Sequence, residues 1–163
     1  MQFIYQAVLE SLTELQPWMD WATQAYDQVS AQRWLEFAEL AWQHSSAFHF
    51  VIAESGTGQF LGSCGVDGID DKKGSCNLGY WVRTSQTGKG IASRAARLAA
   101  KFAIETRGLN RAEIVIAVGN LASRRAAQKA GAHFEGLLNN GLVVRTEQHA
   151  AVMYSFSPAD FQS

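Results

Sequence analysis

Cysteine and proline are almost absent, with two of each in 163 residues. So few thiols exclude a disulfide-built scaffold and a cysteine metal cluster. Cys64 and Cys76 could lie on neighbouring strands and are read as reduced core residues, with a disulfide between them as the alternative. No apolar run reaches about 18 residues, so no membrane-spanning helix is expected. The opening Met1-Gln-Phe-Ile4 lacks the basic-then-apolar plan of a signal peptide, and a cytoplasmic location is expected. An excess of one charge is missing too. The formal net charge is −1, with no basic block to suit nucleic acid and no acidic tail to suit a basic partner. Internal repeats and low-complexity segments are also lacking. What remains is a chain 47% apolar, of a length that suits one domain over residues 1–163.

That domain is organised around Gly79 to Leu109. Tyr80, Trp81 and Val82 read as a strand end, and Arg83 to Thr87 are too polar to continue it. Gly88 and Gly90 bracket Lys89, and from Ile91 the apolar period changes. Ile91, Ala92, Ala95, Ala96, Leu98, Ala99, Phe102 and Ala103 recur at helical spacing, which predicts an Ala-rich helix ending at Gly108. Strand, glycine loop and helix together suit an anion, because the first helical N–H groups lack partners and carry the positive end of the macrodipole. The Gly-Lys-Ser/Thr ending of an ATPase loop is absent, and so is the third glycine of a dinucleotide fingerprint. By itself the loop is weak evidence for a phosphate and reads first as a tight strand-to-helix turn.

Before this stretch, residues 2–15 predict a helix that Pro17 interrupts, and Ser30 is read as the N-cap of a second. Between them, Trp18-Met-Asp-Trp21 is either a packing turn or one wall of a substrate pocket. Phe48–Ala53, Phe60–Val66 and Cys76–Val82 predict a three-stranded meander. Afterwards come a strand at 112–118, a helix at 121–129 stopped by Gly131, and a strand at 132–137. Asn139-Asn-Gly141 gives a strong hairpin signal. Leu142–Arg145 and Ala150–Phe156 form the last pairing, with Glu147-Gln-His149 as the turn between them. The order predicts an α+β fold with a mixed sheet flanked by helices.

Gly79-Tyr-Trp-Val82, a polar loop, Gly88-Lys-Gly-Ile-Ala92 and the Ala-rich helix resemble the acyl-CoA-binding core of the GNAT N-acetyltransferase superfamily. The family loop, Gln/Arg-x-x-Gly-x-Gly/Ala, falls on Thr87, Gly88, Lys89, Gly90, Ile91 and Ala92. Gly90 and Ala92 match it and Thr87 does not. The resemblance covers essentially the whole chain and is closest to the branch that acetylates ribosomal-protein N-termini. Pro17-Trp18, Gly79-Tyr-Trp, Asn120-x-x-Ser123, Lys129-x-Gly131, Glu135-Gly136 and Met153-Tyr-Ser155 carry that likeness. It departs at the start, where the family has a strand ahead of the first helix. An uncovered sheet edge there would favour a homodimer.

The resemblance implies acetyl-CoA as co-substrate, no metal, and an amine acceptor, either a protein N-terminus or a small molecule such as an antibiotic or polyamine. A non-catalytic acyl-CoA-binding protein on the same fold is the reading from another class. The implied cofactor contacts are Trp81, Val82, Thr87, Gly88, Lys89, Gly90, Ile91, Ala92, Asn120, Arg124 and Lys129, with Arg83 nearby. Ser123 is the implied proton donor to the departing thiolate, with helix capping as its structural alternative. The base is less plain. Relatives carry carboxylates where this chain has Asn77 and Leu142, and His-Asp where it has His149-Ala150. Glu135, His149 and Asp67 remain as proton acceptors, while His44, His49 and His133 are read as structural.

Overall fold

The computed structural model describes residues 1–162. Gln2–Leu15 (α1) buries Ile4, Ala7, Val8, Leu12 and Leu15 along one stripe, as the apolar spacing predicts. The second helix, Gln28–Gln43 (α2), starts earlier than expected. Asp27 is its N-cap, and Asp27 Oδ1 accepts hydrogen bonds from both the N–H and the hydroxyl of Ser30 at 2.7 Å. A carboxylate at the positive end of a helix takes precedence over a serine one turn later.

Phe48–Ala53 (β1), Phe60–Asp70 (β2) and Ser75–Val82 (β3) form the antiparallel meander. Ile91–Lys101 (α3) follows, widening into a π-helical stretch over Phe102–Thr106. Arg111–Ala117 (β4), Leu121–Ala130 (α4), His133–Val144 (β5) and Glu147–Phe156 (β6) complete the chain. One six-stranded sheet runs in the order β1-β2-β3-β4-β6-β5, and β3 with β4 is its parallel pair. Among the described residues no strand precedes α1, so the outer edge of β1 is open.

The two sheet faces have separate cores. α3 and α4 cover Val66, Leu78, Ile114, Ile116, Tyr154 and Phe156, all at most 3% exposed. Ala95, Ala96, Ala99, Ala100 and Ala103 let α3 approach the sheet closely. On the other face α1 packs with Ala22, Ala31 and Phe60. Cys64 and Cys76 are buried, unpaired thiols on β2 and β3, and burial pushes them up to about 11 and about 12, leaving them inert.

The end of the chain corrects the predicted turns. Asn139-Asn-Gly141 is no hairpin. It is an irregularity within β5, where pairing passes from Leu138↔Ala151 to Leu142↔His149 and Asn140 has φ +53°. The chain reverses at Arg145-Thr146, and Glu147-Gln-His149 belongs to β6. The cause is tertiary. The N–H of Arg145 donates to Asp20, and its guanidinium donates to the carbonyls of Gln16 and Ala22 at 3.2 and 3.3 Å. These contacts fix the reversal beyond the local turn signal.

A second tie joins α1 to the exit of β3. Ser11 Oγ donates to Ala7 O at 2.7 Å and accepts from the N–H of Thr84 at 3.0 Å. Glu10 accepts from Arg83 Nε at 3.0 Å and from the N–H of Ser85 at 2.8 Å. The hydrogen bond from Arg83 is the largest reason that the Glu10 carboxyl falls from its ordinary 4.5 to about 2. A depressed carboxyl contributes stability above its unfolded pKa and loses it as pH falls through the folded one. Glu10→Gln is therefore expected to lower Tm by roughly 2–4 °C at pH 7, about 1 kcal/mol for a partly exposed pair, and by nothing near pH 2. Calorimetry at the two pH values checks this.

Candidate active site

After Val82 the chain makes a 3₁₀ turn over Thr84–Gln86, and Thr87-Gly88-Lys89-Gly90 then leads into α3. Gly88 and Gly90 hold φ of +76° and +73°, a region open to glycine at no steric cost. No side chain caps α3, so the N–H groups of Ile91, Ala92 and Ser93 stay available at its positive end. Lys129 reaches the loop from α4, with Nζ 3.4 Å from where a side chain at Gly90 would begin. Lys89 Nζ donates to Gln86 Oε1 at 2.8 Å and stays on the rim. Thr87 turns its hydroxyl back to Thr84 O at 2.9 Å. Arg83 is drawn away to Glu10 and to Phe60 O, outside the loop. Arg124 folds onto Val118 O at 3.1 Å.

Beside the loop the sheet opens. β3 and β4 pair from Ser75↔Arg111 to Asn77↔Glu113 and then part. The N–H of Arg83 donates to Leu61 O at 2.8 Å on the β2 side. Strand alternation then turns the N–H groups of Tyr80 and Val82 toward β4, past the end of the pairing. Two backbone donors thus face an open cleft.

α4 begins across this cleft. Asn120 is its N-cap, accepting from the N–H of Ser123 at 3.1 Å. Ser123 Oγ donates to Tyr80 Oη at 3.1 Å, and Tyr80 Oη donates to Ser123 O at 2.9 Å. Burial pushes the Tyr80 phenol up to about 12, so it keeps its proton through the neutral range. Tyr80 is a functional candidate that the sequence reading passed over. Its link to Ser123 spans 43 positions, and only the β3–α4 juxtaposition shows it.

The other side of Gly79–Trp81 closes a cavity of about 530 Å³. Ile4 and Val8 of α1, Met19, Trp21 and Tyr26 of the following segment, and Trp34 of α2 supply its apolar walls. Trp21 packs at a tilt against both Tyr26 and Trp81, at centroid distances of 5.9 and 5.8 Å. The Trp81 side chain therefore belongs to this cavity, and only its backbone borders the cleft. Its polar members include His49, Asp67 and Asn77, with Asn77 Nδ2 donating to Asp67 Oδ1 at 2.9 Å. His49, read as structural from sequence, lines the cavity. The signal was its cross-strand partner, Gly65, which leaves the ring room.

Two predicted acid–base residues lie elsewhere. Glu135 on β5 is paired with Arg111 at 3.2 Å and accepts from the Ser155 hydroxyl. The Ser155 hydrogen bond, then Arg111, hold its carboxyl below the usual range, which disfavours proton uptake. His149 on β6 lines a separate cavity of about 490 Å³ with Trp18, Gly119 and Arg145, and stands 4.0 Å from Glu147. Neither meets Ser123. Among the described residues no group of three or more His, Cys, Asp and Glu could hold a metal ion, and no helix is long and apolar enough to cross a membrane.

A mixed sheet thus splays beside an uncapped helix N-terminus, with a glycine loop between. Residues 5–133 match the family model for the acetyltransferase (GNAT) domain, and the chain belongs to that family. It is 32% identical over 105 residues to the putative ribosomal N-acetyltransferase YdaF of Bacillus subtilis (strain 168), covering 64% of this chain and 57% of the relative. It spans between 53% and 65% of the length of four curated relatives. Among solved structures, the microcin C7 self immunity acetyltransferase MccE, in complex with acetyl-CoA and AMP, superposes with a TM-score of 0.87 at 19% identity. That match covers 96% of this chain and 86% of MccE. The ribosomal-protein-S5-alanine acetyltransferase from Vibrio fischeri gives 0.83 at 21% identity, over 99% of this chain and 89% of that one.

Proposed function

We propose that the chain transfers an acetyl group from acetyl-CoA to a primary amine, with a protein N-terminus as acceptor. The observation that carries this is the Ser123–Tyr80 pair facing a cleft whose other margin is the glycine loop and the free N-terminus of α3. In this reading the N–H groups of Gly88 to Ala92 and the Lys129 ammonium hold the pyrophosphate, and Asn120 orients the cofactor arm. The backbone donors of Tyr80 and Val82 polarise the thioester carbonyl. Ser123, backed by Tyr80, protonates the departing sulfur. An N-terminal amine, whose reference pKa is roughly 8, needs less help to become neutral than a lysine near 10.4. The relatives named for ribosomal proteins support the same acceptor.

A small-molecule amine is the second reading. The apolar, aromatic-walled cavity favours it, as does the likeness to MccE, an immunity acetyltransferase. One assay separates these readings: free-thiol release from acetyl-CoA against N-terminal peptides and small amines, with Ser123→Ala alongside the wild type. Turnover on peptides with a large loss in the variant is the expected result. Turnover on small amines alone moves the acceptor to the second reading. CoA binding without release on any amine would make this a binding protein.

A further inference from the structure

We propose that His49 takes the proton from the acceptor amine, with Asp67 as the anion that balances the imidazolium and Asn77 as the residue that positions Asp67. This rests on the acetyltransferase reading above and supplies the base that reading lacks. Within the cavity His49 is the only imidazole and Asp67 the only carboxylate. The register explains their placement. His49 lies opposite Gly65, and Gly65 opposite Gly79, so two glycines form a floor without side chains. The ring lies over that floor, and a Cβ on Gly65 would come within 2.7 Å of His49 Nδ1. Trp34 and Phe37 wall its other side, with centroids 6.1 and 5.5 Å away. His49 Nε2 is buried with no hydrogen-bond partner. A neutral imidazole carries one N–H. With that proton on Nε2, Nδ1 keeps its lone pair for the amine.

Asp67 on β2 is directly opposed to Asn77 on β3. Asn77 Nδ2 donates to Asp67 Oδ1 at 2.9 Å and holds the carboxylate toward the cavity. The titratable and charged groups lining the cavity with the ring are Arg33 from α2, Tyr26 ahead of it, Cys64 and Asp67 from β2 and Tyr80 from β3. Burial holds the His49 pKa below its ordinary 6.5, with Asp67 opposing, so the ring is neutral at pH 7 and free to accept.

The protons balance. An entering ammonium gives one proton to His49 Nδ1, and the neutral nitrogen attacks the thioester carbonyl. The C–N bond forms as the C–S bond breaks. The thiolate takes a proton from the Ser123–Tyr80 pair, which the second nitrogen proton restores, and His49 releases its own to solvent.

The test compares His49→Gln and Gly65→Ala with the wild type in kcat/KM from pH 6 to 10. It uses a peptide amine and, separately, an α-aminonitrile that is already neutral at pH 7. Both variants should lose roughly 100-fold at pH 7 on the peptide, within the range for a general base. The loss should shrink below about tenfold at pH 10 and on the aminonitrile, while KM for acetyl-CoA stays within about threefold. Asp67→Asn should shift the acid limb to lower pH. An equal loss at every pH and on both amines, or no loss, overturns the proposal. No thiol release by the wild type on any amine instead removes the acetyltransferase reading and this one with it. NMR of the wild-type ring needs no turnover. A neutral Nε2–H form at pH 7 is expected, and a ring protonated on Nδ1 overturns the proposal.

Discussion

Gly90→Asp is expected to weaken CoA binding by at least ~100-fold while leaving the protein folded. Two effects converge on one residue. Gly90 sits at φ +73°, where aspartate is among the side chains that tolerate the left-handed region at a cost of about 1–2 kcal/mol. That strain falls at the rim of the fold, and the sheet does not depend on it. The larger effect is on the ligand. A carboxylate would stand beside the uncapped N–H groups of α3 and within reach of Lys129 Nζ, 3.4 Å from its first carbon, and would occupy the place of the phosphate charge. A hundredfold change corresponds to about 2.7 kcal/mol. Titration calorimetry with CoA reads it directly, with Gly90→Ala as the variant that carries strain without charge. A dissociation constant within threefold of wild type for Gly90→Asp would show that the anion sits elsewhere.

The second large effect concerns the pair across the cleft. Tyr80→Phe is expected to lower kcat by roughly 10²–10³-fold, Ser123→Ala by a similar factor, and the double variant by little more than either. The two hydroxyls form one unit, since Ser123 Oγ donates to Tyr80 Oη at 3.1 Å and Tyr80 Oη donates to the serine's own carbonyl at 2.9 Å. A proton that leaves either hydroxyl draws on the other. KM for acetyl-CoA should hold within a few-fold, because the loop and α3 are untouched. Losses that multiply in the double variant would show the two side chains acting separately. Full activity in Tyr80→Phe would leave the tyrosine a packing residue.

The parts of the molecule that were legible in sequence are the ones specified locally. The glycine loop and α3 announce themselves by a change of period and by two residues that must take positive φ. Asn120 and Gly131 mark the two ends of α4 by the same local chemistry. The failures share one cause, a contact made far along the chain. Asn139-Asn-Gly141 has the composition of a turn, but hydrogen bonds from Arg145 to the segment after α1 place the reversal four residues further on. Glu135 is engaged by Arg111 and Ser155, 24 and 20 positions away, which no local pattern announces. The role proposed for His49 rests on the glycine opposite it and on a carboxylate two residues along the neighbouring strand, neither of them near it in sequence. Register across strands is invisible to a reading that advances one residue at a time.

The tie from Arg145 to Gln16 and Ala22 also bears on the order of assembly. It joins positions 129 and 123 residues apart, among the longest separations in the chain. Closing so large a loop carries an entropic cost that nearby contacts do not, and topologies rich in such contacts fold slowly. The segment bearing Met19 and Trp21 is held from its far side by a hairpin synthesised more than a hundred residues later. A chain still emerging from the ribosome can wind α3 from local sequence, but its seat on Tyr154 and Phe156 waits for the same hairpin that secures the aromatic wall on the opposite face. The two faces of the sheet are thus completed together, by one late pair of strands.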